Sequence, residues 1–322
     1  MLSNLSMTSP FFLLILAGYL GARKGLLPIS SISGLNAFVL YFALPCMLFR
    51  FGSSTPVEQL LNLQVAGIYL ACSLILLGLA IVISRRDGLD WNNTAFGALV
   101  AAFPNTGFMG VPLLVVLLGQ AAAGPAIITI FIDLVIVSSL CVGLSRITPN
   151  DEEHFLEGVK RALKGVFSNP MPWSIGLGGV ASAFQFQPPV IVASTVELLA
   201  GAASPVALFT IGTVLARSAI LERTGVKITP VRTAIKSIVL LKLIVHPLLI
   251  FSALSAANLL GAQIDPFVIL VTTLVAALPS ASNVTILAER FKADSARIAK
   301  IILISTSIAF FTFPATVALL TR

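Results

Sequence analysis

Charge is scarce in this sequence. Asp, Glu, Lys and Arg make up 10% of the 322 residues, against 57% hydrophobic residues, whereas soluble domains carry about a quarter charged residues. Too little polar surface is left to clothe a water-soluble globule, so a chain that crosses the membrane several times is expected. Cysteine is scarce as well. Cys46, Cys72 and Cys141 lie in apolar runs without CxxC or metal-ligand spacing, which predicts neither a disulfide framework nor a metal site. No nucleophile–base set is recognisable, so neither an enzyme nor a cofactor is expected. The opening "MLSNLSMTSPFFLLILAGYLGARKG" lacks the positive n-region of a signal peptide. Its charges, Arg23 and Lys24, follow the apolar run and predict an uncleaved first helix anchored at its far end.

Long apolar runs are what the chain has instead. Segments of about 20 mostly apolar residues, enough to cross a hydrocarbon core, recur about ten times. The first five run Thr8–Ala22, Ile32–Phe49, Leu63–Ser84, Trp91–Leu118 and Ala122–Ser145. The next five run Pro170–Phe186, Val190–Ala216, Thr233–Leu259, Pro266–Glu289 and Ala296–Leu320. Of the 20 Lys and Arg, all but Arg50, Lys242 and Arg322 fall in or at the edges of the loops after segments one, three, five, seven and nine. The positive-inside rule places those loops in the cytoplasm and both termini on the other side. The same distribution accounts for the net charge of +7 without a nucleic-acid partner. The longest polar stretch, "RITPNDEEHFLEGVKRALKG", carries Phe155, Val159 and Leu163 at helical spacing and predicts an amphipathic cytoplasmic linker over residues 147–168.

Two segments resemble each other. Leu99-Val100-Ala101-Ala102-Phe103-Pro104 matches Leu274-Val275-Ala276-Ala277-Leu278-Pro279, and each is followed by small polar residues. "ALPCMLF" in segment two resembles "ASPVALF" in segment seven, and "SPFFLLILAGYLG" resembles "NPMPWSIGLGGVA". The pairs one/six, two/seven and four/nine describe a five-plus-five repeat, residues 1–146 and 169–322. A five-helix unit crosses an odd number of times, so the second copy must be inverted, as in many secondary transporters.

Proline removes an N–H and clashes with the preceding turn, and an unpaired backbone group in hydrocarbon costs several kcal/mol. Pro104, with Gly107, Gly110 and Pro112 behind it, predicts disrupted helix from Phe103 to Pro112, and Pro279 opens a similar break. Both lie near the middle of their segments, so two antiparallel breaks could cross near the bilayer midplane. Half-helix N-termini favour an anion such as a carboxylate, and the carbonyl ends favour a cation. The candidate binding residues are Pro104, Asn105, Thr106, Gly107, Gly110, Pro112, Pro279, Ser280, Ser282, Asn283 and Thr285. A plain proline kink capped by small polar residues is the simpler reading of either break alone.

"PNTGFMGVPLL" (Pro104–Leu114), "ALPSASNVTILAERF" (Ala277–Phe291) and "FALPCMLF" resemble motifs of the auxin efflux carrier family, within the bile acid/sodium symporter-like superfamily, and in particular its prokaryotic malate/malonate permease-like members. The resemblance covers essentially the whole chain. It implies an all-α, ten-helix membrane protein with crossing fourth and ninth helices, scaffold helices one, two, six and seven, and core helices three to five and eight to ten. It further implies a secondary active transporter of a small organic anion with elevator-like alternating access, and scaffold-mediated homodimers are common in the superfamily; the compact loops suggest a bacterial inner membrane. Two departures stand out. The acid that plant members carry in the third helix is missing from segment three, and Asn283 and Thr285 stand where plant members have a second proline. A channel, or a carrier of bile-acid-like anions, is the alternative.

Ionisable residues inside spans are costly and functional by default. Asp133 in segment five and Glu197 in segment seven could each carry a coupling Na+ or H+. Asp133 belongs to the implied core, and the alternative for it is a lone acid facing a wet vestibule or held by backbone donors. His246 could relay protons or be a satisfied buried histidine, and Lys242, four residues earlier on the same face, is expected to snorkel to the cytoplasm.

Overall fold

A computed structural model of the chain describes residues 2–28, 30–55, 62–146, 160, 164, 170–223 and 232–321. The predicted linker at 147–168 lies outside these residues except for Lys160 and Lys164. Among the described residues all regular structure is helical, apart from one isolated bridge. The helices are α1 (Leu2–Arg23), α2 (Ser31–Ser54), α3 (Leu63–Arg86), α4 (Trp91–Ala102), α5 (Thr106–Leu118) and α6 (Gln120–Leu144). They continue with α7 (Pro170–Ala183), α8 (Val190–Arg223), α9 (Ile235–Leu259), α10 (Pro266–Ala276), α11 (Asn283–Arg290) and α12 (Ser295–Leu320). Six of them, α2, α3, α6, α8, α9 and α12, are long and apolar enough to cross a membrane, and shorter apolar helices accompany them in α1, α5 and α10. Local chemistry sets several ends. Asn62 accepts from Val65 N at 3.1 Å to start α3, Asp265 and Pro266 start α10, and Asp294 accepts from Arg297 N at 2.9 Å to start α12.

Predicted segments four and nine are each split, into α4 and α5 and into α10 and α11. The first break is shorter than the expected Phe103–Pro112. Helical bonding resumes at Thr106 through a π turn, Thr106–Gly110, in which Asn105 O accepts from both Met109 N and Gly110 N at 3.1 and 2.9 Å. Pro112 then falls just behind the π turn, where regular α-helix begins within α5. Three of the four π turns among the described residues share a feature: Val39–Ala43, Thr106–Gly110 and Leu241–Val245 are each followed, one residue on, by Pro45, Pro112 and Pro247. The wider turn relieves the clash between the proline ring and the preceding carbonyls. The fourth, Ile132–Val137, has no proline behind it and carries Asp133.

Packing is closest where glycines meet. A side chain at Gly212 of α8 would strike Ile15 O and Tyr19 N of α1, and one at Gly18 would strike the Phe209 backbone. Gly178, from the "GLGG" run of α7, faces Gly52 of α2 in the same way. α3 packs on α4 and α9, and α9 on α10.

Charged groups from the predicted cytoplasmic loops gather at one end of the bundle. Asn93 accepts from Asp294 N at 2.7 Å, Arg297 Nη2 donates to Asn93 O at 3.0 Å, and the Arg146 guanidinium lies 5.1 Å from the Phe291 ring centroid. Arg217 of α8 pairs with Glu289 of α11 at 2.9 Å, with side chains 22% and 44% exposed. A pair this exposed contributes about 0–1 kcal/mol. Glu289→Gln is therefore expected to leave the melting temperature of purified protein nearly unchanged, and a large drop in a thermal-unfolding scan would show the pair to be structural.

Candidate functional site

The two breaks meet. Proline leaves each break a backbone that cannot complete its own helix, and each supplies what the other lacks. Asn105 N–H donates to Pro279 O at 2.8 Å, and Ala281 N–H donates to Phe103 O at 3.0 Å. Pro104 and Ser280 thus face each other as an isolated antiparallel bridge. A third tie comes from α12, where Ser305 Oγ accepts from Ser280 N at 3.3 Å. Irregular backbone of this kind is tolerated at membrane depth only inside protein or beside a wet cavity, and Pro104, Asn105, Pro279 and Ser280 are all buried.

Small side chains make the meeting possible and line it. A Cβ at Gly110 would reach Leu278 Cδ1 at 2.5 Å, so glycine lets α5 approach the second break. Gly107 is half-buried, facing Met171 of α7. Asn105, Thr106, Ser280, Ser282 and Thr285 are buried, and Asn283 is half-buried. Asn105 Oδ1, Thr106 Oγ1, Ser280 Oγ, Asn283 Oδ1 and Thr285 Oγ1 are buried without a hydrogen-bond partner within the protein, as is Thr306 Oγ1 of α12. Buried polar atoms are normally satisfied, and so many open oxygens grouped around two helix starts, at Thr106 and Asn283, form a polar nest without fixed charge. Such a nest can accept donors through its oxygens and, through helix N-termini and hydroxyls, hold an anion.

Beside it lies a cluster of titratable groups from three helices. Asp133 is fully buried on its π turn, and Tyr69 of α3 donates to its Oδ2 at 2.9 Å while Oδ1 is unpartnered. Lys242 and His246 of α9 are also fully buried, with Nζ 2.9 Å from His246 Nδ1 and donating to Ala276 O at 2.9 Å. The Tyr69 and His246 rings lie 6.1 Å apart between centroids. Glu197 does not join them. Its side chain is 71% exposed on α8, and Oε1 lies 4.0 Å from Arg50 Nη1.

A family model for membrane transport proteins matches residues 7–317. The chain belongs to this transporter family. Two relatives span most of it. A "Putative malonate transporter" of Rhizobium meliloti is 29% identical over 94% of this chain and 91% of its own length. An "Uncharacterized transporter" of Methanothermobacter thermautotrophicus is 26% identical over 94% of this chain and 93% of its own length. Auxin efflux carrier component 7 of Arabidopsis thaliana is 36% identical, but over only 27% of this chain and 14% of that protein. The chain is a multi-pass membrane transporter of the auxin efflux carrier family.

Within this transporter the snorkelling expected of Lys242 does not occur. Snorkelling serves a lysine with no partner at its own depth, whereas Ala276, the last residue of α10, presents a carbonyl there. Three contributors escaped the sequence reading. Ser305 and Thr306 stand as a polar pair in an apolar helix, a signal that was present. Tyr69 stands as a phenol in α3, in the segment noted only for lacking an acid.

Proposed function

We propose that this transporter moves a small organic anion, a carboxylate such as malonate, bound where the two breaks cross. The observation that carries the reading is the backbone bridge between Pro104 and Ser280, which holds two half-helix N-termini and five open side-chain oxygens of the breaks in one place. The name of the Rhizobium meliloti relative supports the carboxylate. Segments four and nine, each split and counted once, complete a ten-span, five-plus-five inverted repeat over residues 1–146 and 169–322. The glycine-tight pairs α1–α8 and α2–α7 support a fixed scaffold of helices one, two, six and seven. The remaining spans are then the moving core of an elevator-like alternating-access cycle. The charge-rich end is the cytoplasmic one, at a bacterial inner membrane. Asp133, with its free Oδ1, carries the coupling proton, and His246 relays it.

Asn105→Ala and Asn283→Ala each remove hydrogen-bonding capacity worth about 0.5–1.5 kcal/mol, or roughly two- to tenfold in affinity. Both are expected to weaken malonate binding in calorimetric titrations by that factor while the protein stays folded. Wild-type affinity and proteoliposome transport in both variants would sink the site.

A further inference from the structure

Lys242 answers a question that the neutral crossing raises. A carboxylate entering a buried site must have its charge compensated, yet none of the open oxygens there carries positive charge. Among the described residues the buried basic side chains are Lys242, His246 and Arg297. Arg297 lies in the first turn of α12, about two helical turns before Ser305, where its Nη2 donates to Asn93 O at 3.0 Å. That leaves the pair on α9.

The lysine is placed for this purpose. Its Nζ donates at 2.9 Å to the carbonyl of Ala276, the residue that ends α10 just before Pro279. This is the partially negative end of a half-helix, aimed at the crossing, and an unopposed carbonyl end there would repel an anion. The free C-terminal ends of broken helices are also the groups that coordinate a coupling Na+ in carriers of this architecture. Here a side-chain ammonium is already seated on one of them. Its other polar neighbours belong to the same cluster: His246 Nδ1 at 2.9 Å, and Asp133, whose Oδ2 accepts from Tyr69. Cys72 of α3 is turned away, donating to Leu249 O.

We propose that Lys242 is the resident cation of the substrate site. It cancels the negative end of α10, supplies the positive charge that selects an anion, and stands where a sodium ion would otherwise bind. The inference rests on reading the crossing as the substrate site, and it adds that transport is independent of sodium.

The test uses purified full-length protein and malonate. In calorimetric titration, wild type should bind malonate with the same affinity in sodium and in choline buffer, within about twofold. Lys242→Gln keeps an N–H donor for Ala276 O without the charge and should lose at least about tenfold in affinity. Wild-type binding or uptake that requires sodium overturns the proposal, and this measurement stands even if the variant does not fold. A folded Lys242→Gln protein with wild-type affinity overturns it as well. Asn105→Ala, measured in parallel, separates the two readings. If it weakens binding while Lys242→Gln does not, the resident cation fails alone; if neither does, the crossing fails as the substrate site.

Discussion

Replacing Asp133 by asparagine is expected to abolish proton-driven accumulation of malonate, a loss of more than about tenfold, while exchange of labelled for unlabelled malonate survives. The side chain is fully buried, and its Oδ2 accepts from Tyr69 while Oδ1 has no partner within the protein. A buried carboxylate with an open oxygen can take up and release one proton at modest structural cost. Asparagine imitates the protonated acid in size and retains a carbonyl acceptor for Tyr69, but it cannot titrate. A carrier locked in that state can still swap substrate across the membrane, because exchange needs only the loaded form to move. It cannot convert a proton gradient into net uptake. Proteoliposomes with an imposed pH step measure both activities on one preparation. Undiminished accumulation by the variant would exclude Asp133 as the coupling acid, and loss of both activities would mark it as structural. The π turn that carries it, Ile132–Val137, is the one that no proline explains. Ser138, directly behind that turn, bonds back to Leu134 O.

A single methyl group between α1 and α8 is expected to have the largest effect on stability. Gly212→Ala would place a Cβ 2.6 Å from Tyr19 N and 2.9 Å from Ile15 C. These are backbone atoms of α1 and cannot rotate away, so α1 and α8 must separate. Overpacking of this kind costs about 1–3 kcal/mol, and more when backbone must move. The control lies in the same helix. A Cβ at Gly201 meets nothing within 4 Å, and alanine there gains about 0.5–1 kcal/mol in helix preference. The same substitution, eleven residues apart, is expected to lower the melting temperature at Gly212 and to hold or raise it at Gly201. Equal responses in a thermal-unfolding comparison would show that the tight α1–α8 crossing does not limit stability.

The positions of the two breaks were legible in the sequence because proline chemistry is local. Pro104 and Pro279 cannot continue a buried helix whatever surrounds them, and the matched run "LVAA" before each marks them as equivalents. Membrane spans were legible for a similar reason, since hydrocarbon imposes length and polarity residue by residue. The extent of the first break was not. Whether the chain from Thr106 to Pro112 unwinds or tightens into a π turn depends on which carbonyl the Met109 and Gly110 N–H groups can find, and Asn105 O supplied it.

The contacts across the fold lay further from reach. Sequence alone determined that this chain is a membrane protein with two broken, polar-flanked helices and one charge-rich side. Only tertiary structure decided that Asn105 N–H meets Pro279 O, that Ser305 supports Ser280, and that Lys242 turns inward to Ala276. A long side chain at membrane depth has two ways to satisfy its charge, by reaching water or by finding an unpaired carbonyl. Which carbonyls are unpaired follows from where other helices end in space.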